Sequence, residues 1–149
     1  MGLQQQVMEQ MKEAMKSKDK VALESLRAIK SALLLAQTSG NSNDGLTEEE
    51  EVKLVQKLVK QRKDSAAIFQ EQGREDLAAP ELEQVAVIEQ FLPEQLDEAA
   101  IENVVADVIQ KTGASGMKDM GKVMGMVSKQ LAGQADGKTI STIVKQKLA

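Results

Sequence analysis

Apolar residues return every three or four positions along almost the whole chain, and strand-type alternation is almost missing. That spacing puts them on one face of an α-helix, packed inward. The expected fold class is therefore all-α. Leu3, Val7, Met11 and Ala14 form a first stripe, with Met8 and Met15 beside it. Asp19 is placed to cap a second helix carrying Leu23, Leu26, Ile29, Leu33 and Ala36. Residues 38–45, TSGNSNDG, have loop composition. Thr47 with Glu50 has the spacing of a capping box. It predicts a third helix through Val52, Val55, Leu58, Val59, Ala66 and Phe69, ending near Gly73. A fourth follows through Leu77, Leu82, Val85, Ile88 and Leu92, and Pro80 is expected to kink or restart it.

Pro93 is the best boundary in the chain. Beyond it Asp97 can cap a helix bearing Ile101, Val104, Val105, Val108 and Ile109, closed by Lys111 and Gly113. Another helix is expected over about 116–132, with Met117, Met120, Met124, Val127 and Leu131. Asp136 caps a last one with Ile140, Ile143, Val144 and Leu148. The expectation is two units: four helices in residues 1–92 and three in residues 93–149. With 149 residues the chain is long enough to bury a core without disulfides.

Composition then narrows function. The chain has no Cys, His, Trp or Tyr and only two Phe, Phe69 and Phe91. Thiol nucleophiles, Cys-based metal sites and His-dependent proton transfer are excluded. Stacking platforms for single-stranded nucleic acid are equally poorly supplied. Neither a cofactor nor a metal is expected. Glu48–Glu51 suits a helix start without a bound cation.

Net charge is −4, but it is unevenly spread. Residues 93–110 hold five acids and no base, whereas residues 111–149 hold seven Lys against Asp119 and Asp136. A basic last quarter on an acidic chain is an anion-seeking surface. No apolar run approaches the roughly 18 residues of a membrane span. The N-terminal segment has no signal-peptide pattern, and Gln6 stands where myristoylation wants Ser or Thr. A cytoplasmic protein, monomeric and away from membranes, is the expectation.

The segment Gly116–Val123 has the form G-x-x-x-x-G-K-V, one residue short of a phosphate-binding loop. Val123 lacks the hydroxyl such a loop needs for Mg²⁺, and the preceding segment is helical in period. At 100° per residue, Lys118, Lys122, Gly125 and Lys129 instead fall in one sector, opposite the Met–Val–Leu stripe. Gly121 borders that sector. Glycine inside a helix costs about 1 kcal/mol against alanine, so Gly121 and Gly125 need a reason. Either another helix packs closely there, or Gly125 bares backbone between lysines so that a phosphate chain can approach. Lys138 and Lys145 lie one heptad apart on the last helix, with Lys147 nearby. This footprint suits recognition of a duplex backbone by shape, not base reading.

Two further features belong to the first unit. Lys53, Lys57, Lys60 and Asp64 share a solvated sector, but Arg62 falls on the apolar stripe. It is expected either to clamp a carboxylate on a neighbouring helix or to bind a partner. Met8, Met11 and Met15, like Met117, Met120 and Met124, are expected as core filler, with an adaptable partner surface the alternative.

Five ordered motifs carry a family resemblance. KQRKDSAAIF (60–69), GREDLA (73–78), FLPEQL (91–96), GASGMKDMGKVMG (113–125) and GQADGK (133–138) together resemble the YqeY-like family. That family is related to the C-terminal tail of the B subunit of the glutamine-dependent aspartyl/glutamyl-tRNA amidotransferase. The resemblance covers essentially the whole chain. It implies two unlike helical bundles, of four and three helices, and a tRNA-proximal role away from any reaction centre. Carbon–nitrogen ligase activity with glutamine as amido-N-donor attaches to the family only as a label. The implied partners are tRNA or another structured RNA, or an aminoacylation or amidation enzyme. The loop at 38–45 is longer than the family pattern implies, and Pro80 falls inside what that pattern makes one helix.

Overall fold

The computed structural model describes residues 2–40 and 45–149, and among these every regular element is helical. The helices are α1 (Leu3–Ser17), α2 (Lys20–Ser39), α3 (Glu48–Glu71), α4 (Glu75–Glu89), α5 (Glu98–Thr112), α6 (Met120–Gln130) and α7 (Gly137–Leu148). A short 3-10 turn, Met117–Asp119, precedes α6. Among the described residues no helix is long and apolar enough to cross a membrane.

The chain divides into two compact units, Met1–Leu92 and Pro93–Ala149. In the first, α1 runs against α2, α3 against α4, and α2 also touches α3 and α4. Leu3, Val7, Leu26, Ile29, Leu33, Val55, Val59, Val85 and Ile88 form its core. In the second, α5, α6 and α7 contact one another around Ile101, Val105, Val108, Val123, Val127, Ile140, Ile143 and Val144.

Helix starts follow local chemistry. Asp19, Thr47, Asp97 and Asp136 each accept a backbone N–H three residues on, at 3.0, 3.1, 2.8 and 2.9 Å. These bonds satisfy donors that the first helical turn leaves unpaired. The end of α1 is less comfortable. Lys18 caps it with φ 59°, a left-handed conformation that glycine adopts without penalty. Lys18→Gly is expected to stabilise the first unit by about 1 kcal/mol, measurable by urea denaturation.

Four expectations are corrected. The loop at 38–45 begins later, because Thr38 and Ser39 remain in α2 with their hydroxyls donating to the Leu35 carbonyl at 3.0 and 2.7 Å. Residues 41–44 lie outside the described residues. Helix α4 runs through Pro80 without restarting. The carbonyl deprived of its amide there is that of Asp76, in the exposed first turn, where water can replace the donor. Leu77 and Leu82 are exposed at 38% and 41%, since Ala78, Val85 and Ile88 set the buried phase of α4. Leu92 packs on the core from beyond the end of that helix.

Candidate nucleic-acid interface

Two glycines shape the entry to α6. Gly113, at φ 66°, ends α5, and Gly116, at φ 74°, turns the chain into the 3-10 segment. The Asp119 carboxylate accepts the Ser115 N–H at 2.9 Å and ties that turn together. Lys118 therefore lies on the 3-10 turn, not on α6, and the expectation of a helix from 116 is corrected. A 3-10 turn has three residues per turn, so the 100° projection does not extend to Lys118. Val123 is fully buried in the core. With α5 preceding the turn, Gly116–Val123 forms no phosphate cradle.

Along α6, Val123 and Val127 face inward while Lys122, Gly125 and Lys129 are exposed. Along α7, Ile140, Ile143, Val144 and Leu148 face inward while Lys138 and Lys145 are exposed. Each helix thus presents two lysines one heptad apart, roughly 10.5 Å along the axis at 1.5 Å per residue. Backbone and side-chain bonds hold the α6–α7 connection. Leu96 N–H donates to the Gln134 carbonyl at 2.9 Å, and the Gln95 amide donates to the Gly133 carbonyl at 2.6 Å.

Among the described residues, Lys118, Lys122, Lys129, Lys138, Lys145 and Lys147 enter no ion pair. Lys111 on α5 differs, lying 3.0 Å from Asp107. The second unit holds seven acids and seven lysines, so it is neutral but polarised. Five acids lie on α5 and the segment before it, and the other two serve turns: Asp119 as above, and Asp136 by accepting from Thr139.

The glycines have no packing reason. A Cβ built at Gly121 or Gly125 would meet nothing within 4 Å, and both residues are exposed. Close helix–helix approach within the second unit is thereby removed as their explanation. Sequence reasoning also missed Met126, which is 44% exposed. It lies four residues after Lys122 and three before Lys129, so the same helical arithmetic places it beside them.

In the first unit the expected carboxylate clamp at Arg62 is corrected. Its Nε donates to the Gln84 carbonyl oxygen at 2.8 Å, and Nη1 donates to the Leu58 carbonyl at 3.1 Å. The carboxylate of Glu24 stands one step away, accepting from the Gln84 amide at 3.5 Å. The close packing of α3 on α4 puts an amide opposite Arg62, whereas neighbouring Lys63 takes Glu89 at 2.9 Å. Lys53, Lys57, Lys60 and Asp64 are exposed, as their phase predicts.

The methionine groups split. Met11, Met120 and Met124 pack on the cores, but Met8, Met15 and Met117 are 44%, 56% and 49% exposed. Helical phase sets Met8 and Met15 beside the apolar stripe of α1, whereas Met117 lies on the 3-10 turn before α6.

Displaced titrations in the first unit have local causes. The Arg74 guanidinium, bonded to Asp76 at 2.9 and 3.0 Å, holds that carboxyl below its usual range. Partial burial, with Glu48 adding to it, raises Glu51. Both acids sit in the opening turns of helices. Among the described residues no group of three or more His, Cys, Asp or Glu could hold a metal ion.

The model of the Yqey-like protein family matches residues 4–148. The chain belongs to the YqeY-like family. No curated protein matches it. In this YqeY-like chain four of the five motifs fall at structural junctions, and KQRKDSAAIF lies within α3. GREDLA starts α4, FLPEQL joins the two units, and GQADGK enters α7.

Proposed function

We propose that this YqeY-like chain is a non-catalytic accessory module that binds tRNA or another structured RNA through its C-terminal lysines. Lys118, Lys122, Lys129, Lys138 and Lys145 would contact phosphates, and Gly125 would let the backbone come close. The observation that carries this reading is the set of lysines without ion pairs around a glycine that nothing packs against. Lysines are point charges suited to phosphate, and phosphate contacts carry no base identity. The kinship implied with the amidotransferase B-subunit tail points the same way. We further propose that the units are separate four- and three-helix bundles, in a monomeric cytoplasmic protein without a cofactor.

The test is a filter-binding titration with tRNA at low and moderate salt. Binding is expected to weaken steeply as salt rises, as counterion release requires. Affinity indifferent to salt ends the proposal. Gly125→Ala gives a second, sharper expectation. Alanine is favoured in a helix by about 1 kcal/mol, so the melting temperature should rise while tRNA affinity falls. A rise in stability with unchanged affinity would show that Gly125 serves no approach.

A second reading is favoured by the exposed apolar side chains of the first unit. Leu35 is 70% exposed and Met15 56%. They suit docking on a larger aminoacylation or amidation enzyme. A pull-down that recovers one stoichiometric protein and no RNA would select this reading.

A further inference from the structure

The second unit has no aromatic residue, no arginine and no histidine. It can neither stack on splayed bases nor make the bidentate arginine contact to guanine. What the outer face of α6 offers is narrower. Lys122 and Lys129 stand one heptad apart, and between them lie Gly125, Met126 and Ser128. All are exposed. Ser128 falls three residues after Gly125, and its hydroxyl enters no hydrogen bond among the described residues. It is the free neutral donor and acceptor on a face otherwise made of ammonium groups, bare backbone and one thioether.

A helix about 10–12 Å across does not enter the roughly 6 Å minor groove of B-DNA. The minor groove of A-form RNA is wide and shallow and displays 2′-hydroxyls beside the phosphates. Glycines without side chains let a helix lie flat on such a surface. Lysines in one row along it match the phosphate charge. Resting on the RNA-binding reading above, we propose that the outer face of α6 lies across the minor groove of double-helical RNA. Ser128 is then the residue that reads the 2′-hydroxyl, and Lys122 and Lys129 hold the bordering phosphates. Recognition is independent of base sequence, and RNA is preferred to DNA.

The experiment uses the full chain and four fluorescent probes. They are an RNA duplex of about 16 base pairs and arbitrary sequence, one of its strands, the DNA duplex of the same sequence, and tRNA. The RNA duplex and tRNA are expected to bind alike, each about tenfold tighter than the single strand or the DNA. Ser128→Ala favours the helix, so it folds. It is expected to weaken the RNA duplex about fivefold, the order of one net hydrogen bond, and to leave DNA unchanged. Lys122→Gln is expected to lower the salt slope by about one for RNA and DNA alike. DNA bound as tightly as RNA, or Ser128→Ala affecting both equally or neither, overturns the inference. Binding of tRNA without the plain duplex overturns it too, yet leaves the RNA-binding reading standing. No binding to any probe removes both.

Discussion

Lys122→Glu with Lys129→Glu is expected to weaken tRNA binding by about a hundredfold at low salt, on the order of tenfold per reversed charge. Both residues are exposed and enter no ion pair, so no internal contact is lost. The inward residues Val123, Val127 and Leu131 are untouched. Two phosphate contacts disappear, and the slope of log affinity against log salt should become shallower by about two. Repulsion between the new carboxylates and phosphate adds to the loss, and salt screens it over a Debye length of about 10 Å at 0.1 M. Filter binding at two salt concentrations, beside a melting curve, separates this from unfolding. A glutamate near the end of α6 costs only a few tenths of a kcal/mol against the helix dipole. Unchanged affinity would remove α6 from the interface.

Ile143→Ala is expected to destabilise the second unit by about 3 kcal/mol. Ile143 is 1% exposed and packs in the core that α5, α6 and α7 share. Removing three carbons there loses transfer energy and leaves a cavity, with measured costs of roughly 2–5 kcal/mol. Native stability is about 0.05–0.15 kcal/mol per residue, so a unit as short as Pro93–Ala149 holds only several kcal/mol in all. One truncated side chain takes much of it. Hydrogen exchange should show amides of α5–α7 opening while those around Ile29 and Ile88 in the first unit stay protected. RNA binding should fall in parallel, because α6 and α7 carry the lysines. Uniform loss of protection across both units would contradict the proposed independence.

Much of the fold was legible because its signals are local. Asp19, Thr47, Asp97 and Asp136 cap the helices that their spacing predicts, since a cap needs only a side chain and an N–H three residues away. Gly113 ends α5 for the same kind of reason, one positive φ. The misreadings arose where a second element decides. Leu82 has the spacing of a core residue, yet α3 and α2 meet α4 on the side of Ala78 and Val85. Met8 and Met15 border an apolar stripe but lie beyond the reach of a covering helix. Arg62 has the phase of a buried clamp, and only the partner across from it could reveal that the clamp closes on an amide.

The candidate interface divides in the same way. Helical phase alone placed Lys122, Gly125 and Lys129 on one face of a helix and Lys138 and Lys145 on one face of another. The sequence by itself also excluded aromatic stacking and histidine chemistry. Tertiary structure alone showed that Gly121 and Gly125 have no helix of their unit against them, that these lysines enter no ion pair, and that Lys118 sits on a 3-10 turn. The physical reason is common to all three. Periodicity determines which way a side chain points from its own helix, but what stands opposite depends on how the other helices close around the core.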